Sequence, residues 1–375
     1  ATATYAVNLA THNGGDHLLL AAASYVMPIT LATRLLVAVY PPLLLGGVAS
    51  LARAAGVPPW RALFVVPAVL GYSFAWGFAN FCLASAMALF ALSLLVRQLD
   101  APTWRRAAML AVLSLALGVT HVMAMLLCAC VAAGIGVERA LRGERSIRAL
   151  GRIALAGAPL LAGCAYDLAV LAEHLAAAPA SYTSAPDGFD AFSPLRKVGF
   201  LGTFVAGLWG TYADTALAWV TIAALASVAV STTWARATGP SRGLVAPFVV
   251  ATLGYFLVPS VFLNTHLVFQ RLAQWMVVGA ALALPALAPA WEARARRIAI
   301  GLATIATGLA VLHLAYFATE VRDLPAALAL VPKGARVTGY VERTRTTAVR
   351  VGALTHAAAM AVPLGAADDA FSFGR

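Results

Sequence analysis

The chain has 375 residues, 62% of them hydrophobic and 11% charged. A soluble domain carries about 25% charged residues, so composition excludes an ordinary soluble fold. The net charge of +11 does not point to nucleic acid, because the arginines lie in short connections between apolar runs and form no basic stripe.

Stretches 35–50, 62–96 and 107–137 hold no charged residue. A helix crosses a bilayer core with about 20 apolar residues. In chain order, the predicted spans are 31–51, 62–76, 79–96, 107–119, 121–137, 149–171, 216–234, 244–262, 272–291 and 298–317. The fold class is therefore all-α and polytopic, with about ten transmembrane helices. Pro41-Pro42 is expected to kink the first span. Trp76-Gly77 and His121 mark tight reversals.

Basic residues set the orientation. Arg53 and Arg61; Arg97, Arg105 and Arg106; Arg139, Arg142, Arg145, Arg148 and Arg152; Arg236 and Arg242; and Arg294, Arg296 and Arg297 fall in every second connection. These connections are expected to face the cytoplasm. The alternate connections hold Arg196, Lys197 and Arg271. Segment 1–30 then lies outside, as does the long connection 174–215. The transmembrane domain covers 31–317, and 318–375 forms a small exported C-terminal lobe. Within the long connection, 198–209 is too short to span. It reads as an interfacial helix on the bilayer or as a packed re-entrant segment. In the tail, 336–341 alternates like a strand.

The cysteines, Cys82, Cys128, Cys130 and Cys164, all lie in apolar runs. They read as packing residues and not as a disulfide framework or a zinc site. Ionisable groups inside a membrane are functional candidates by default. Here they reduce to Asp167, read as a functional group or a structural ion pair, with Arg34 and Arg271 at span ends. An ion-coupled transporter needs more.

Other polar residues gather on one predicted side: Tyr5, His12, Asn13, Asp16 and His17 before the first span; Asn80 and His121 at the reversals; Asp187, Asp190 and Asp214 in the long connection; Asn264, His266, Gln270 and Arg271 before the ninth span; and His356 in the tail. Asp16 also reads as the N-cap of a helix through 18–24. Arg271 reads as a phosphate ligand through its forked donors or as an interfacial anchor. The arrangement suits an outward cleft acting on a lipid-held substrate.

Three stretches carry a resemblance: Gly77-Phe78-Ala79-Asn80-Phe81; Gly118-Val119-Thr120-His121; and Thr265-His266-Leu267-Val268-Phe269-Gln270-Arg271. Together with the tail from Leu330 to His356, they resemble the GT-C class of membrane glycosyltransferases and its bacterial relatives. The resemblance implies a bacterial cytoplasmic membrane, an outward active site and a polyprenyl-phosphate-linked sugar donor. It implies an acid in the first outer loop, as general base or partner of a divalent metal, and a basic residue on the lipid phosphate. By position these are Asp16 and Arg271, with His266, His121, Asn80 and His356 around the substrate. No metal-ligand spacing is visible. The family's acid follows a first helix that this chain lacks, so the resemblance implies an upstream helix, and the acid itself can lie there. The competing readings are a non-catalytic transporter or scaffold of the same fold, with protein partners open.

Overall fold

The computed structural model describes residues 15–143, 146–177, 193–234, 244–262, 265–330, 335–337, 348–349 and 367–369. Tyr5, His12, Asn13, Asp187, Asp190, Asn264 and His356 lie outside the described residues, as do the side chains of Asp16 and His266.

The chain is a helical membrane protein. It opens with α1 (Gly15–Ser24) and α2 (Ile29–Ala54), continues through a 3-10 helix (Pro59–Val65) and the short α3 (Val66–Val69) and α4 (Tyr72–Ala75), then α5 (Ala79–Asp100), α6 (Trp104–Thr120) and α7 (Val122–Leu141). Next come α8 (Ile147–Ala177), α9 (Pro194–Ala206), α10 (Ala213–Trp234) and α11 (Ala246–Leu257). A small antiparallel pair, β1 (Val261–Phe262) and β2 (Thr265–His266), leads into α12 (Val268–Ala283) and α13 (Pro289–Glu320). The tail contributes α14 (Leu324–Ala329) and the parallel pair β3 (Ala335–Val337) and β4 (Ala367–Asp369).

Among the described residues, α2, α5, α7, α8, α10 and α13 are the six helices long and apolar enough to cross a membrane. The predicted second span, 62–76, is not one helix. Pro59 and Pro67 lack the amide donors a continuous helix needs, and the chain breaks again at Leu70-Gly71. The predicted ninth span, 272–291, is also divided: α12 ends at Ala283 and α13 starts at Pro289. By contrast, α2 continues through Pro41 and Pro42. His121 does mark a reversal, with extended backbone (φ −165°, ψ 113°) between α6 and α7.

The core lies where α2 meets α5 and α11 meets α12. Leu44, Val48 and Leu51 of α2 pack with Leu89 and Leu92 of α5. Gly47 allows this approach, since a Cβ there would lie 2.9 Å from that of Leu89. The outer helices α8 and α13 keep apolar side chains bare: Leu155 is 77% exposed and Leu312 67%. In water such a surface is a liability; against lipid it is the expected solvent-facing side.

Helix α12 is buried on every side, as expected for a helix inside a bundle. Its polar groups therefore bond to protein. Gln274 Nε2 donates to Tyr40 Oη of α2 and to the Ala68 carbonyl, both at 2.9 Å. Trp275 Nε1 donates to Ser85 Oγ of α5 at 3.2 Å. The Ala68 carbonyl lies at the end of α3, where helical acceptors lose their partners.

The Arg-rich connections meet at one end. Arg139 pairs with Asp100 at 2.6 Å, and Arg142 pairs with Glu138. Glu138 also accepts from the Val245 and Ala246 amides at 3.3 and 3.1 Å, satisfying the start of α11. Arg61, counted above among the loop charges, is instead buried. It donates to the Leu284 and Pro285 carbonyls at the end of α12, a favourable place for a cation.

Candidate functional site

At the opposite end, the sequence landmarks converge. The 3-10/α3/α4 segment ends in a turn at Gly77, whose φ of +71° is a left-handed conformation that glycine tolerates. The turn delivers Phe78 to the start of α5, with Asn80 and Phe81 in its first turn. The α6–α7 reversal delivers His121. The start of α12 delivers Arg271, one turn after Leu267, which itself holds a left-handed φ of 59°. Such a conformation is uncommon outside glycine and marks local strain.

Arg271 is only 6% exposed, so it is not an interfacial anchor. Its Nη1 lies 3.2 Å from His121 Nε2. A guanidinium only donates, so Nε2 accepts and the neutral ring carries its proton on Nδ1. The guanidinium carbon lies 3.8 Å from the Phe78 ring centre and 5.7 Å from that of Phe81. Phe81 in turn meets the His121 ring edge-on at 5.4 Å. Cation–π contact with a desolvated guanidinium is worth about 2 kcal/mol. Two rings and an imidazole thus hold this charge in a buried place.

Helix α1 docks beside this group. A Cβ on Gly15 would overlap Thr120, coming within 2.7 Å of its Cα. The backbone of Asp16, in the first turn of α1, therefore sits next to the Thr120-His121 reversal. Asp16 is not the N-cap, because the helix already includes Gly15.

Lys197 is a residue the sequence reading passed over as a loop charge. It is 3% exposed. Its Nζ donates to the Val258 and Phe256 carbonyls at 2.8 and 3.3 Å, closing the end of α11. It also sits 4.1 Å from the Phe269 ring centre. Tyr255 Oη donates to the Lys197 carbonyl at 2.6 Å. Gln270 Nε2 donates to Ser260 Oγ at 2.8 Å. An aromatic ladder joins the broken segment to this lock: Tyr72 to Phe204 at 5.1 Å, Phe204 to Phe269 at 5.5 Å and Phe269 to Tyr255 at 5.3 Å. Helix α9 is accordingly a packed segment, with Lys197, Phe204 and Val205 buried, and does not simply lie on the bilayer.

Of the two predicted acids nearby, Asp214 serves the backbone and Asp167 does not. Asp214 Oδ2 accepts from the Leu208 and Trp209 amides at 2.7 and 2.8 Å. Asp167 is 1% exposed, its Oδ2 has no hydrogen-bond partner among the described residues, and no ion pair forms there. Its carboxylate faces Gly118 of α6, where an added Cβ would lie 3.4 Å from Oδ1. At the same end, His313 stacks on Trp209 at 4.9 Å. Val349 of the tail bridges to Trp209, and Glu320 accepts from the Ala348 amide at 3.1 Å. Arg34, on α2, and His17, on α1, are both exposed.

An apolar groove of about 270 Å³ lies between α9, α10, α11 and α12, lined by Leu201, Ile222, Phe248, Met276 and Ala280 among others. Ala280 follows Arg271 by 280 − 271 = 9 residues, or about 2.5 turns at 3.6 residues per turn. The groove therefore occupies the face of α12 opposite Arg271. Among the described residues, no three His, Cys, Asp or Glu side chains gather as a metal site.

No protein-family model, curated protein or solved structure matches this chain.

Proposed function

We propose that the protein is a GT-C-like glycosyltransferase of about ten spans that moves a sugar from a polyprenyl-phosphate carrier to an acceptor at the outer face of a bacterial cytoplasmic membrane. The observation that carries this reading is the buried Arg271, bonded to His121 and capped by Phe78 at the end away from the Arg-rich connections. The positive-inside rule puts that end outside. The tail, tied to Trp209 there, belongs to the exported lobe in this reading.

In the reaction, an acceptor hydroxyl attacks the anomeric carbon, the bond from that carbon to the phosphate oxygen breaks, and the proton passes to a carboxylate. Asp16 is the acid whose helix start is seated beside His121. Acid–base help of this kind is worth about 10²–10⁴-fold. Arg271 stabilises the charge gathering on the departing phosphate, typically the larger contribution. Phe78 covers Arg271, so the phosphate enters as that ring swings away, with Gly77 as the pivot.

Native mass spectrometry of the full-length protein with a polyprenyl phosphate tests this. Binding that weakens about tenfold or more in Arg271→Ala, about 1.4 kcal/mol, is the expected result. Equal binding by both proteins removes Arg271 from the site. No binding by either overturns the glycosyltransferase reading.

A further inference from the structure

At the other end, a pocket of about 430 Å³ opens between the last turns of α2, α5 and α7 and residue 244. Its polar wall holds Arg53, Arg139 and Arg142 against Asp100 and Glu138. The two carboxylates are committed. Asp100 pairs with Arg139 at 2.6 Å, and Glu138 pairs with Arg142 while capping the start of α11. The Arg53 guanidinium makes no hydrogen bond or ion pair among the described residues, and it is exposed into this space. Among the described residues, three cations against two anions leave a net positive pocket, with the Arg53 guanidinium uncommitted. Its inner wall is apolar, formed by Val96, Ile135 and Leu244.

The helices around the pocket, α2, α5 and α7, are all membrane-crossing candidates. Their ends therefore lie at headgroup level. The chemistry that completes such a pocket is a phosphate monoanion with hydrocarbon below it. Basic pockets between transmembrane helices on the cytoplasmic side take anionic headgroups, and the ends of Arg-rich connections face that side. We infer that this pocket binds the headgroup of an anionic phospholipid, with Arg53 on its phosphate and an acyl chain against Val96 and Ile135. The inference rests on the membrane reading and is independent of any role for Arg271.

The test uses the full chain, with phosphatidylglycerol, phosphatidylcholine and inorganic phosphate as probes. Retained lipid is counted by native mass spectrometry for wild type, Arg53→Gln and Arg297→Gln. Arg297 is exposed at the same end but outside the pocket, so it reports general charge. An arginine held against an anionic headgroup contributes about fivefold in affinity. The expected result is phosphatidylglycerol binding about fivefold weaker in Arg53→Gln, unchanged in Arg297→Gln, with phosphatidylcholine bound weakly throughout. Equal losses in both variants, or none in Arg53→Gln, overturn the pocket. Binding of inorganic phosphate without phosphatidylglycerol overturns the lipid as its source.

Discussion

The guanidinium carbon of Arg271 rests 3.8 Å from the centre of the Phe78 ring, so the residue best suited to bind a phosphate is covered by an aromatic lid. A buried cation in this position is held by the ring's negative face and by the His121 nitrogen, and it has almost no exposure of its own.

Phe78→Ala is expected to expose Arg271. The variant loses the nearest cation–π contact, about 1–2 kcal/mol, and gains access for small guanidinium-selective reagents. Peptide mapping of Arg271 after such labelling should show a clear rise over wild type. Unchanged labelling means that Phe78 is not the cover.

Lys197→Met keeps the aliphatic stem and removes the donor. The Phe256 and Val258 carbonyls then lose a charged partner inside the protein. Leaving buried polar groups unsatisfied costs about 1–3 kcal/mol, so thermal stability in detergent should fall by that amount. Lys197→Arg should not restore it, because a planar fork does not replace a compact ammonium in a site this closed. Wild-type stability in either variant would show that the α9–α11 lock contributes little.

Gly15→Ala places a methyl against the Thr120 backbone. Overpacking of this kind costs about 1–3 kcal/mol. The strain should fall on α1, which unseats before the bundle does. Limited proteolysis should then cut within 15–28 faster than in wild type while the remaining chain stays protected. Equal cutting rates would place the Gly15–Thr120 contact outside the docking of α1.

Much of the bundle was legible in the sequence, for a physical reason. Uncharged runs such as 35–50 and 107–137 leave no choice but burial in lipid or protein, so α2, α6 and α7 appear where hydropathy puts them. The same measure failed at 62–76, because hydropathy reports the solvent and not the backbone; Pro59, Pro67 and Gly71 carried the contrary signal. Arg271 and His121 were legible as landmarks, but their 3.2 Å contact joins residues 150 apart in sequence. Lys197 was missed because a lysine beside Arg196 reads as a loop charge. The available signal was its spacing, four residues before Leu201 on the apolar face of a helix. Gln274, four residues after Gln270 in an otherwise apolar run, carried a similar hint.

The broken segment at 59–78 bears on how the protein is made. Irregular backbone cannot face lipid; it is tolerated at membrane depth only where protein surrounds it. Here the protein that satisfies it comes late. Gln274 reaches the Ala68 carbonyl from 206 residues downstream, and Arg61 waits for carbonyls 223 and 224 residues downstream. At roughly 5–20 residues per second, 206 residues take about 10–40 s to synthesise. During that interval the N-terminal third of the chain has no completed interior to enter. It must be sheltered at the insertion machinery or kept in contact with water until α12 arrives to close the bundle around it.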